Sequence, residues 1–348
     1  MNQNHRLHYA ILTILILGLS LTCCTEKKGK DQMEGDVFRL TSESIDSLSA
    51  LSLVDTIFLP NAPSKITRKI RQTKSGKLLM AAFTDVVYYD GESFFYIPKP
   101  EGFDSFDAFD ALEDSNGNIW IASTRHGVFR YDGTYFVHFT TDNGLAHNRT
   151  MDLLEDRMGN IWIASMGGLC RYNGSSFDCF TTEEGLSNND VNTIMEDKTG
   201  KIWLGTRGAA CIYEPSTSSF TEVMSKDGTT FNNIWSIVED EKGDIWLGGQ
   251  TGLWCYNGRT FIQFANKSVN CIDEDNKGNI WTCSPNGMLN RYNGAVLKKE
   301  VILSEEIFET SGMLFRVTAD KGGDIWVGTL KGVFRYKEKT VNYFRNSK

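Results

Sequence analysis

Several side chains suited to hydrogen bonding or ring stacking fall in the variable stretches of this sequence. Arginine, amide and histidine groups hydrogen-bond polar ligands, and a tryptophan face stacks on a sugar ring or an aromatic group. These residue types together are typical of a site that binds a glycan or a peptide without covalent chemistry. The candidate ligand-binding residues are Arg125, His147, Arg149, Asn189, Asp190, Arg207, Asn233, Trp235 and Gln250.

Patterns for catalysis and for metal binding are weak. Beyond the N-terminal segment the histidines are His126, His138 and His147, and no Gly-x-Ser-x-Gly motif occurs. The stretch Asp114–Asn118 faintly resembles a calcium loop, but equivalent stretches carry arginine or lysine, so we interpret it as a turn. No cysteine has the CxxC or CxxH spacing of a zinc site. We predict no catalytic residue, no metal and no cofactor.

The charge balance excludes a nucleic-acid partner. Lysine and arginine total 36 against 44 acidic residues, and the formal net charge is −8. Nucleic-acid-binding proteins need a concentrated basic patch, and no block of basic residues stands out here. The 32 glycines and 6 prolines instead favour a chain with many tight turns.

Seven copies of one strand-like motif would position the candidate residues. Gly-Asn-Ile-Trp-Ile-Ala at 117–122 returns at 159–164, and five further copies are more divergent. The copies are 35 to 45 residues apart, a period typical of propeller blades. We call the central residue of each copy its anchor. The anchors are Leu79, Trp120, Trp162, Trp203, Trp246, Trp281 and Trp326.

Each repeat contains four short strand-like segments, named A to D in chain order. Glu-Asp-x-x-Gly between A and B and Asp-Gly or Asn-Gly between C and D are signals for tight turns. Strand B is apolar on both faces, as at Ile119 and Trp120, so both faces must be covered. Closing the repeats into a ring leaves no uncovered end. We predict an all-β, seven-bladed β-propeller of four-stranded antiparallel blades over residues 53–348, with the six anchor tryptophans buried.

The A–D strand order sorts the loops onto two faces. The A–B and C–D turns are short and alike, whereas the B–C and D–A connections are longer and varied, so we place the ligand site on the B–C/D–A face. Trp235 occupies the repeat position held elsewhere by Phe109, Met151 or Asn192, near the mouth of the central channel. The alternative is that Trp235 only packs between blades.

The N-terminal 52 residues predict export and a membrane anchor. Residues 1–23 have the short apolar run of a signal peptide, and Leu21-Thr22-Cys23-Cys24 resembles a bacterial lipobox. Cys24 is the predicted lipidation site and Cys23 the fallback, followed by a polar tether over 24–52. The protein would then be lipid-anchored at the periplasmic face or outer surface of a bacterial membrane. An ordinary signal peptide is the alternative.

Two further expectations concern strand pairing and cysteines. Residues 54–59 look like an additional D strand that could latch the ring by pairing with the final blade. Six cysteines follow the N-terminal segment, and most fall on apolar strand positions, so we expect buried free thiols rather than disulfides. These are Cys170, Cys179, Cys211, Cys255, Cys271 and Cys283.

The repeats resemble those of the two-component regulator propeller family. The resemblance rests on Gly-Asn-Ile-Trp-[Ile/Leu]-[Ala/Gly] followed by Gly-[Val/Leu]-x-Arg-Tyr-[Asp/Asn]-Gly, as at 127–133 and 168–174, and on Asp-Asn-Gly-Leu at 142–145. It implies a periplasmic sensing propeller, many of which respond to glycans. We see no kinase or receiver sequence, so only the ligand-binding part of that role is expected here.

Three functions remain open at this point. The first is a non-catalytic exported propeller that binds a glycan or peptide through its B–C/D–A face. The second is a protein-interaction scaffold of the cell envelope, with an envelope protein as partner. The third is an enzyme related to the streptogramin lyases, whose repeats look similar, or a hydrolase.

Overall fold

The computed structural model describes residues 53–293, 298–303 and 312–347. Within these ranges the chain forms 29 β-strands in seven sheets, and one short 3-10 helix at Thr141–Asn143. This confirms the predicted seven-bladed propeller. No helix in the described ranges is long and apolar enough to cross a membrane. The predicted signal segment, the tether and both N-terminal cysteines lie outside the described residues.

The strands follow the repeats of the sequence. One strand, β1 (Leu53–Leu59), precedes the first blade. Blades one to three contain, in the order A to D, β2 (Thr67–Gln72), β3 (Leu78–Ala82), β4 (Asp85–Tyr89), β5 (Phe94–Tyr96), β6 (Ala108–Glu113), β7 (Ile119–Ser123), β8 (Val128–Tyr131), β9 (Phe136–Phe139), β10 (Thr150–Glu155), β11 (Ile161–Ser165), β12 (Gly168–Tyr172) and β13 (Phe177–Phe180). Blades four to seven contain β14 (Val191–Glu196), β15 (Ile202–Thr206), β16 (Cys211–Glu214), β17 (Ser219–Glu222), β18 (Ile234–Glu239), β19 (Ile245–Gly249), β20 (Gly252–Tyr256), β21 (Phe261–Ala265), β22 (Cys271–Glu274), β23 (Ile280–Cys283), β24 (Leu289–Asn293), β25 (Lys298–Leu303), β26 (Arg316–Ala319), β27 (Ile325–Thr329), β28 (Gly332–Lys337) and β29 (Thr340–Asn346).

The A strands surround the centre of the ring. Within each blade the order is A-B-C-D with antiparallel neighbours, and the A strands of successive blades lie side by side. The first residues of each A strand therefore lie at the B–C/D–A face, and its last residues lie at the face of the tight turns. This arrangement gives the central channel a mouth lined by the starts of the A strands.

Strand β1 pairs with the final blade, as the sequence led us to expect. It runs parallel to β29, from Leu53 opposite Thr340 to Leu59 opposite Asn346. Because the final blade already has its own D strand, β1 is a fifth strand on its outer edge. The ring is thus closed by hydrogen bonds between the two ends of the described chain.

The anchor tryptophans are buried in equivalent places, as predicted, and each has a polar partner. All six side chains are at most 4% exposed. In every case the indole Nε1 donates to Oδ2 of the aspartate six residues earlier, at 2.8–2.9 Å. The same aspartate accepts turn amides through Oδ1, as Asp114 does from Asn116 and Asn118. In these six blades the A–B turn is therefore joined to the core of its own blade.

The small residue two positions after each anchor makes room for the next blade. At Gly248 an added Cβ would lie 2.9 Å from Val269 Cγ1 and 3.0 Å from Ile272 Cδ1, both at the start of blade six. At Gly205 it would lie 2.7 Å from the carbonyl oxygen of Ile234 in blade five. The alternation of a large indole and a small residue therefore sets how closely adjacent blades approach.

Neighbouring blades are also joined on the face of the tight turns. The glutamate that ends an A strand accepts a hydrogen bond from a backbone amide in the A–B turn of the preceding blade. The pairs are Glu155 with Ser115 (2.9 Å), Glu196 with Arg157 (2.9 Å), Glu239 with Lys198 (2.7 Å) and Glu274 with Glu241 (2.7 Å). Gln72 plays this role between blades one and seven, accepting from Lys321 at 2.8 Å.

The expectation of free thiols is wrong for four of the six described cysteines. Cys170 forms a disulfide with Cys179, and Cys271 forms one with Cys283. Both pairs stand directly opposite each other across antiparallel strands, with Cα atoms 4.0 and 5.2 Å apart. The apolar strand pattern around these cysteines indicated buried free thiols and did not show which cysteines stand opposite each other. Cys211 and Cys255 are free and buried, as expected.

Candidate functional site

Five A strands carry a β-bulge at their second residue, which faces the channel mouth. A bulged residue is left out of the strand ladder, so its side chain is re-aimed. In blades six and seven the residue just before the A strand takes the same repeat position. We call this set the mouth ring; its members, all partly exposed, are Arg68, Phe109, Met151, Asn192, Trp235, Asn270 and Phe315.

Members of the mouth ring reach across to the neighbouring blade. Asn192 Nδ2 donates to the carbonyl oxygen of Ile234 at 3.1 Å, and Asn270 Nδ2 donates to that of Leu314 at 3.1 Å. These amides satisfy carbonyls at the starts of the inner edge strands, where no further strand is available. These two members of the mouth ring are therefore held in place by hydrogen bonds between blades.

Trp235 lies in the mouth ring, as predicted, and is only partly buried. Its indole Nε1 donates to Asn233 Oδ1 at 3.0 Å, and the same oxygen accepts from Asn192 Nδ2 at 3.4 Å. Asn233 adopts a left-handed backbone with φ of 50°, which asparagine tolerates better than most residues. Its carbonyl accepts the backbone amide of the exposed Gln250 at 3.3 Å. These candidates therefore form one cluster on blades four and five.

Two other candidates of blade four form an exposed ion pair. Arg207 Nη1 lies 3.4 Å from Asp190 Oδ2, and the Arg207 side chain is 69% exposed. Asn189 has a different task, because its Oδ1 accepts the backbone amide of Thr182 at 2.8 Å and so shapes the D–A connection. Asn148 does the same for Thr141 one blade earlier.

Arg125 and His126 converge on a buried carboxylate. Arg125 Nε lies 3.1 Å from Asp107 Oδ2, and His126 Nε2 lies 3.6 Å from the same oxygen. Asp107 is 5% exposed and has a positive φ of 49°. The hydroxyl of Ser105 donates to its other oxygen at 2.7 Å. Arg125 therefore faces a carboxylate of the protein itself.

His147 and Arg149 precede strand β10 and are both exposed. The ring Nδ1 of His147 accepts a hydrogen bond from the backbone amide of Arg149 at 2.8 Å. Across the described residues, the Arg149 side chain has no ion-pair or hydrogen-bond partner. Its positive charge helps to lower the pKa of Arg68, after the larger effect of burial.

Sequence reasoning missed Arg68, the mouth-ring residue of blade one. Its guanidinium carbon lies 5.2, 5.3 and 5.8 Å from the ring centroids of Phe83, Phe109 and Phe315. Burial and the charge of Arg149 lower its pKa, against the attraction of Asp107. The signal was available, because Arg68 occupies the same repeat position as Trp235.

Deeper in the channel, four charged side chains of blades one to three form a closed cluster. Lys69 Nζ lies 2.9 Å from Asp152 Oδ1, and Arg71 binds both Asp110 and Asp152. Burial raises the pKa of Asp110 against the pull of Arg71, whereas Lys69 and Arg71 outweigh burial and lower the pKa of Asp152. Both carboxylates also accept backbone amides of the next blade, so their bonding capacity is used internally.

The side chain of His138 is engaged by neighbouring groups of the protein. His138 stacks on Phe129 with ring centroids 4.4 Å apart, and its Nε2 contacts the carbonyl oxygen of His126. Within 53–293, 298–303 and 312–347, no three residues among His, Cys, Asp and Glu are grouped to hold a metal. The arrangement is suited to hydrogen bonding and stacking at the channel mouth.

Comparison with known proteins agrees with the fold. The family described as two component regulator propeller matches at residues 185–208 and 228–251, which lie in blades four and five. No curated protein matches the chain.

Solved structures share the propeller at low identity. The extracellular domain of a hybrid two-component system from B. thetaiotaomicron is 21% identical, with a TM-score of 0.68 over 79% of this chain and 39% of that one. PorZ of Porphyromonas gingivalis, a surface component of the type-IX secretion system, is 16% identical, with a TM-score of 0.65 over 80% and 47%. Virginiamycin B lyase from Staphylococcus aureus is 13% identical, with a TM-score of 0.64 over 80% and 97%. This chain thus spans about two fifths of the two-component system domains that it matches.

Proposed function

We propose that this chain belongs to the two-component regulator propeller family, whose model matches in blades four and five, and that it is a non-catalytic exported protein that binds a glycan or a peptide at its channel mouth. The observation that carries the proposal is Trp235, a partly exposed indole in the mouth ring whose Nε1 is fixed by Asn233. A fixed aromatic face beside amide groups is a common way to hold a sugar ring or a peptide side chain.

The loops around Trp235 supply directional contacts. Asn189, Asp190, Arg207 and Gln250 lie on the same face of blades four and five, and His147, Arg149 and Arg125 continue it over blades two and three. Arg207 is largely exposed and holds Asp190 only at 3.4 Å, so a ligand can replace that exposed contact at little cost. The opposite face is built from short repeated turns that offer no such variation.

The same chemistry argues for binding without turnover. The ring of His126 faces Asp107 and the ring of His138 stacks on Phe129, so both are engaged by the protein. The carboxylates of Asp110 and Asp152 are paired with Lys69 and Arg71 of the protein itself. The role we propose is sensor-like: binding at the mouth is passed to a partner protein. A lipid on Cys24, or on Cys23, would hold the protein at a bacterial membrane.

A thermal-shift screen of the mature chain against oligosaccharides and peptides tests this proposal. For a ligand found in this way, Trp235→Ala and Arg207→Ala are expected to weaken binding at least tenfold, which is about 1.4 kcal/mol each. Tyr135→Ala is the matched control, because this tyrosine is 73% exposed on a C–D turn of the opposite face. Unchanged affinity in both mouth variants would place the ligand elsewhere. No ligand in the screen would favour the scaffold.

The scaffold alternative is favoured by one observation. Strand β1 is an outer edge strand, and Phe58 on it is 65% exposed, with Phe95 and Tyr96 of the outermost strand of blade one also exposed. Exposed aromatics on a free strand edge are typical of contact surfaces. Under this alternative Phe58→Ser would abolish capture of an envelope protein, while Trp235→Ala would leave it unchanged.

A further inference from the structure

The guanidinium of Arg68 has a free hydrogen-bonding position at the channel mouth. Three phenylalanine rings surround it, and its Nη1 is buried without a hydrogen-bond partner. An arginine stays charged at any physiological pH, so this nitrogen must keep its protons. A buried charged donor without an acceptor is costly. The protein therefore maintains a donor that an incoming acceptor would satisfy.

The charges nearby leave Arg68 without a full counter-ion. Asp107 attracts Arg68, but its two oxygens are already bound by Arg125, at 3.1 Å, and by Ser105, at 2.7 Å. Arg149, the adjacent positive group, is exposed and also has no carboxylate partner among the described residues. By contrast, Arg125 and Arg207 each lie within 3.4 Å of an aspartate oxygen. Positive charge is therefore in excess beside blades one to three.

We propose that Arg68 and Arg149 together bind a carboxylate of the ligand that enters the channel mouth. The inference rests on the proposed function of that face and adds the ligand class, namely a uronic acid of an oligosaccharide or the C-terminal carboxylate of a peptide. A planar guanidinium matches a carboxylate through parallel N–H donors. Phe83, Phe109 and Phe315 hold the guanidinium plane in position and exclude water, which strengthens the contact.

Two pairs of probes separate the charge from the rest of the ligand. The first pair is trigalacturonic acid and its methyl ester, and the second is the peptide N-acetyl-Gly-Gly-Phe with a free or an amidated C-terminus. Calorimetric titration of the mature chain is expected to show at least one acid bound tenfold or more tightly than its neutral counterpart. Increasing the NaCl concentration should weaken the binding of the acid probe only. The pair that responds identifies the source of the carboxylate.

Three variants assign the effect to the two arginines. Arg68→Gln and Arg149→Gln should each reduce affinity for the acid at least tenfold and leave the neutral probe unchanged. Arg68→Lys keeps the charge but loses the planar donors. Its affinity for the acid should therefore lie between those of the wild type and Arg68→Gln. The control is Arg259→Gln, an exposed arginine of a C–D turn on the opposite face. Melting curves of all variants show whether the fold is retained.

The outcomes for the inference and for the proposed function differ. Equal binding of acid and neutral probes, weakened by Trp235→Ala, overturns the carboxylate site and keeps the proposed function. Acid binding that survives both Arg68→Gln and Arg149→Gln overturns it as well. Failure of both acids to bind, when the screen yields a neutral ligand, also rejects it. If no ligand binds at all, the proposed function fails first.

Discussion

The indole Nε1 of Trp203 lies 2.8 Å from Oδ2 of Asp197, six residues earlier in the chain, and donates a hydrogen bond to it. Asp197 Oδ1 accepts the backbone amides of Thr199 and Lys201. One carboxylate thus joins the A–B turn to the anchor of the blade. Blade one has Thr73 and Leu79 at these positions and therefore lacks both the carboxylate and the indole.

We expect Asp197→Ala to destabilise the protein by about 1–3 kcal/mol, because the buried indole donor and two turn amides lose their acceptor. Urea unfolding measures the loss. Trp203→Phe removes the donor and keeps an aromatic ring, so the double variant tests whether the two effects share one interaction. Strictly additive losses would show that the hydrogen bond contributes nothing.

The pH dependence of stability should reflect these aspartates. Burial favours the neutral acid, but side-chain hydrogen bonds from Thr199 and Trp203 outweigh it and lower the pKa of Asp197; those from Trp281 and Asn279 do the same for Asp275. A lowered folded-state pKa contributes stability above the ordinary aspartate pKa of about 4, and this is lost as the pH falls through the folded value. Urea unfolding from pH 6 to pH 2 should therefore show falling stability. Asp197→Asn should show a shallower decline, and an identical decline would contradict this assignment.

Asp152 should be among the most sensitive positions of the channel. Its replacement by Asn leaves Lys69 and Arg71 partly buried with one carboxylate fewer, at an expected cost of about 3–5 kcal/mol. Asp178→Asn is the matched control, because Asp178 pairs with Arg171 at the surface with 48% of its side chain exposed. That change should cost about 0–1 kcal/mol. Equal losses in thermal or urea unfolding would mean that the buried cluster is not a stabilising unit.

Cysteine chemistry should separate the four paired residues from the two free ones. Burial, with smaller contributions from Asp244 and Asp240, raises the pKa of Cys255 to about 12, and burial also raises that of Cys211. The reactive thiolate is therefore scarce in the folded protein. Iodoacetamide at pH 8 should label Cys211 and Cys255 only after unfolding. Peptide mass mapping without reductant should recover Cys170 joined to Cys179 and Cys271 joined to Cys283. Labelling of any of these four in the unreduced protein would contradict the pairing.

The anchoring prediction is tested in cells. Replacing both Cys23 and Cys24 by Ser should move the protein from the membrane fraction to the soluble fraction, because several acyl chains on one cysteine provide the attachment. Cys24→Ser alone distinguishes the preferred site from the fallback. A double variant that stays with membranes would reject the lipid anchor.

The blades were predictable from sequence because their signals are local. Trp162 recurs in register, Asn173-Gly174 is a hairpin signal by itself, and Ala164 follows its anchor at a fixed distance. Each of these features depends only on residues that are close to it in the sequence.

The remaining features depend on register between distant strands. The disulfide of Cys271 and Cys283 requires knowing which residues stand opposite each other. The contact of Arg68 with Phe315 could not be predicted locally, because it forms only when ring closure joins blade one to blade seven. The repeat position of Trp235 could be assigned from the sequence repeats alone. The acceptor of its indole, Asn233, depends on a left-handed backbone that the sequence did not reveal.

The pairing of β1 with β29 has a consequence for how the molecule is made. Leu53 and Thr340 pair although they are 287 positions apart in the sequence, so β1 has no partner strand until nearly the whole chain has been synthesised. Contacts this distant in sequence carry a large loop-closure entropy and form late. Until then the edge of β1 that pairs with β29 is uncovered. The delay before β1 pairs with β29, rather than the folding of any blade, should therefore determine how long the newly synthesised protein needs protection from aggregation.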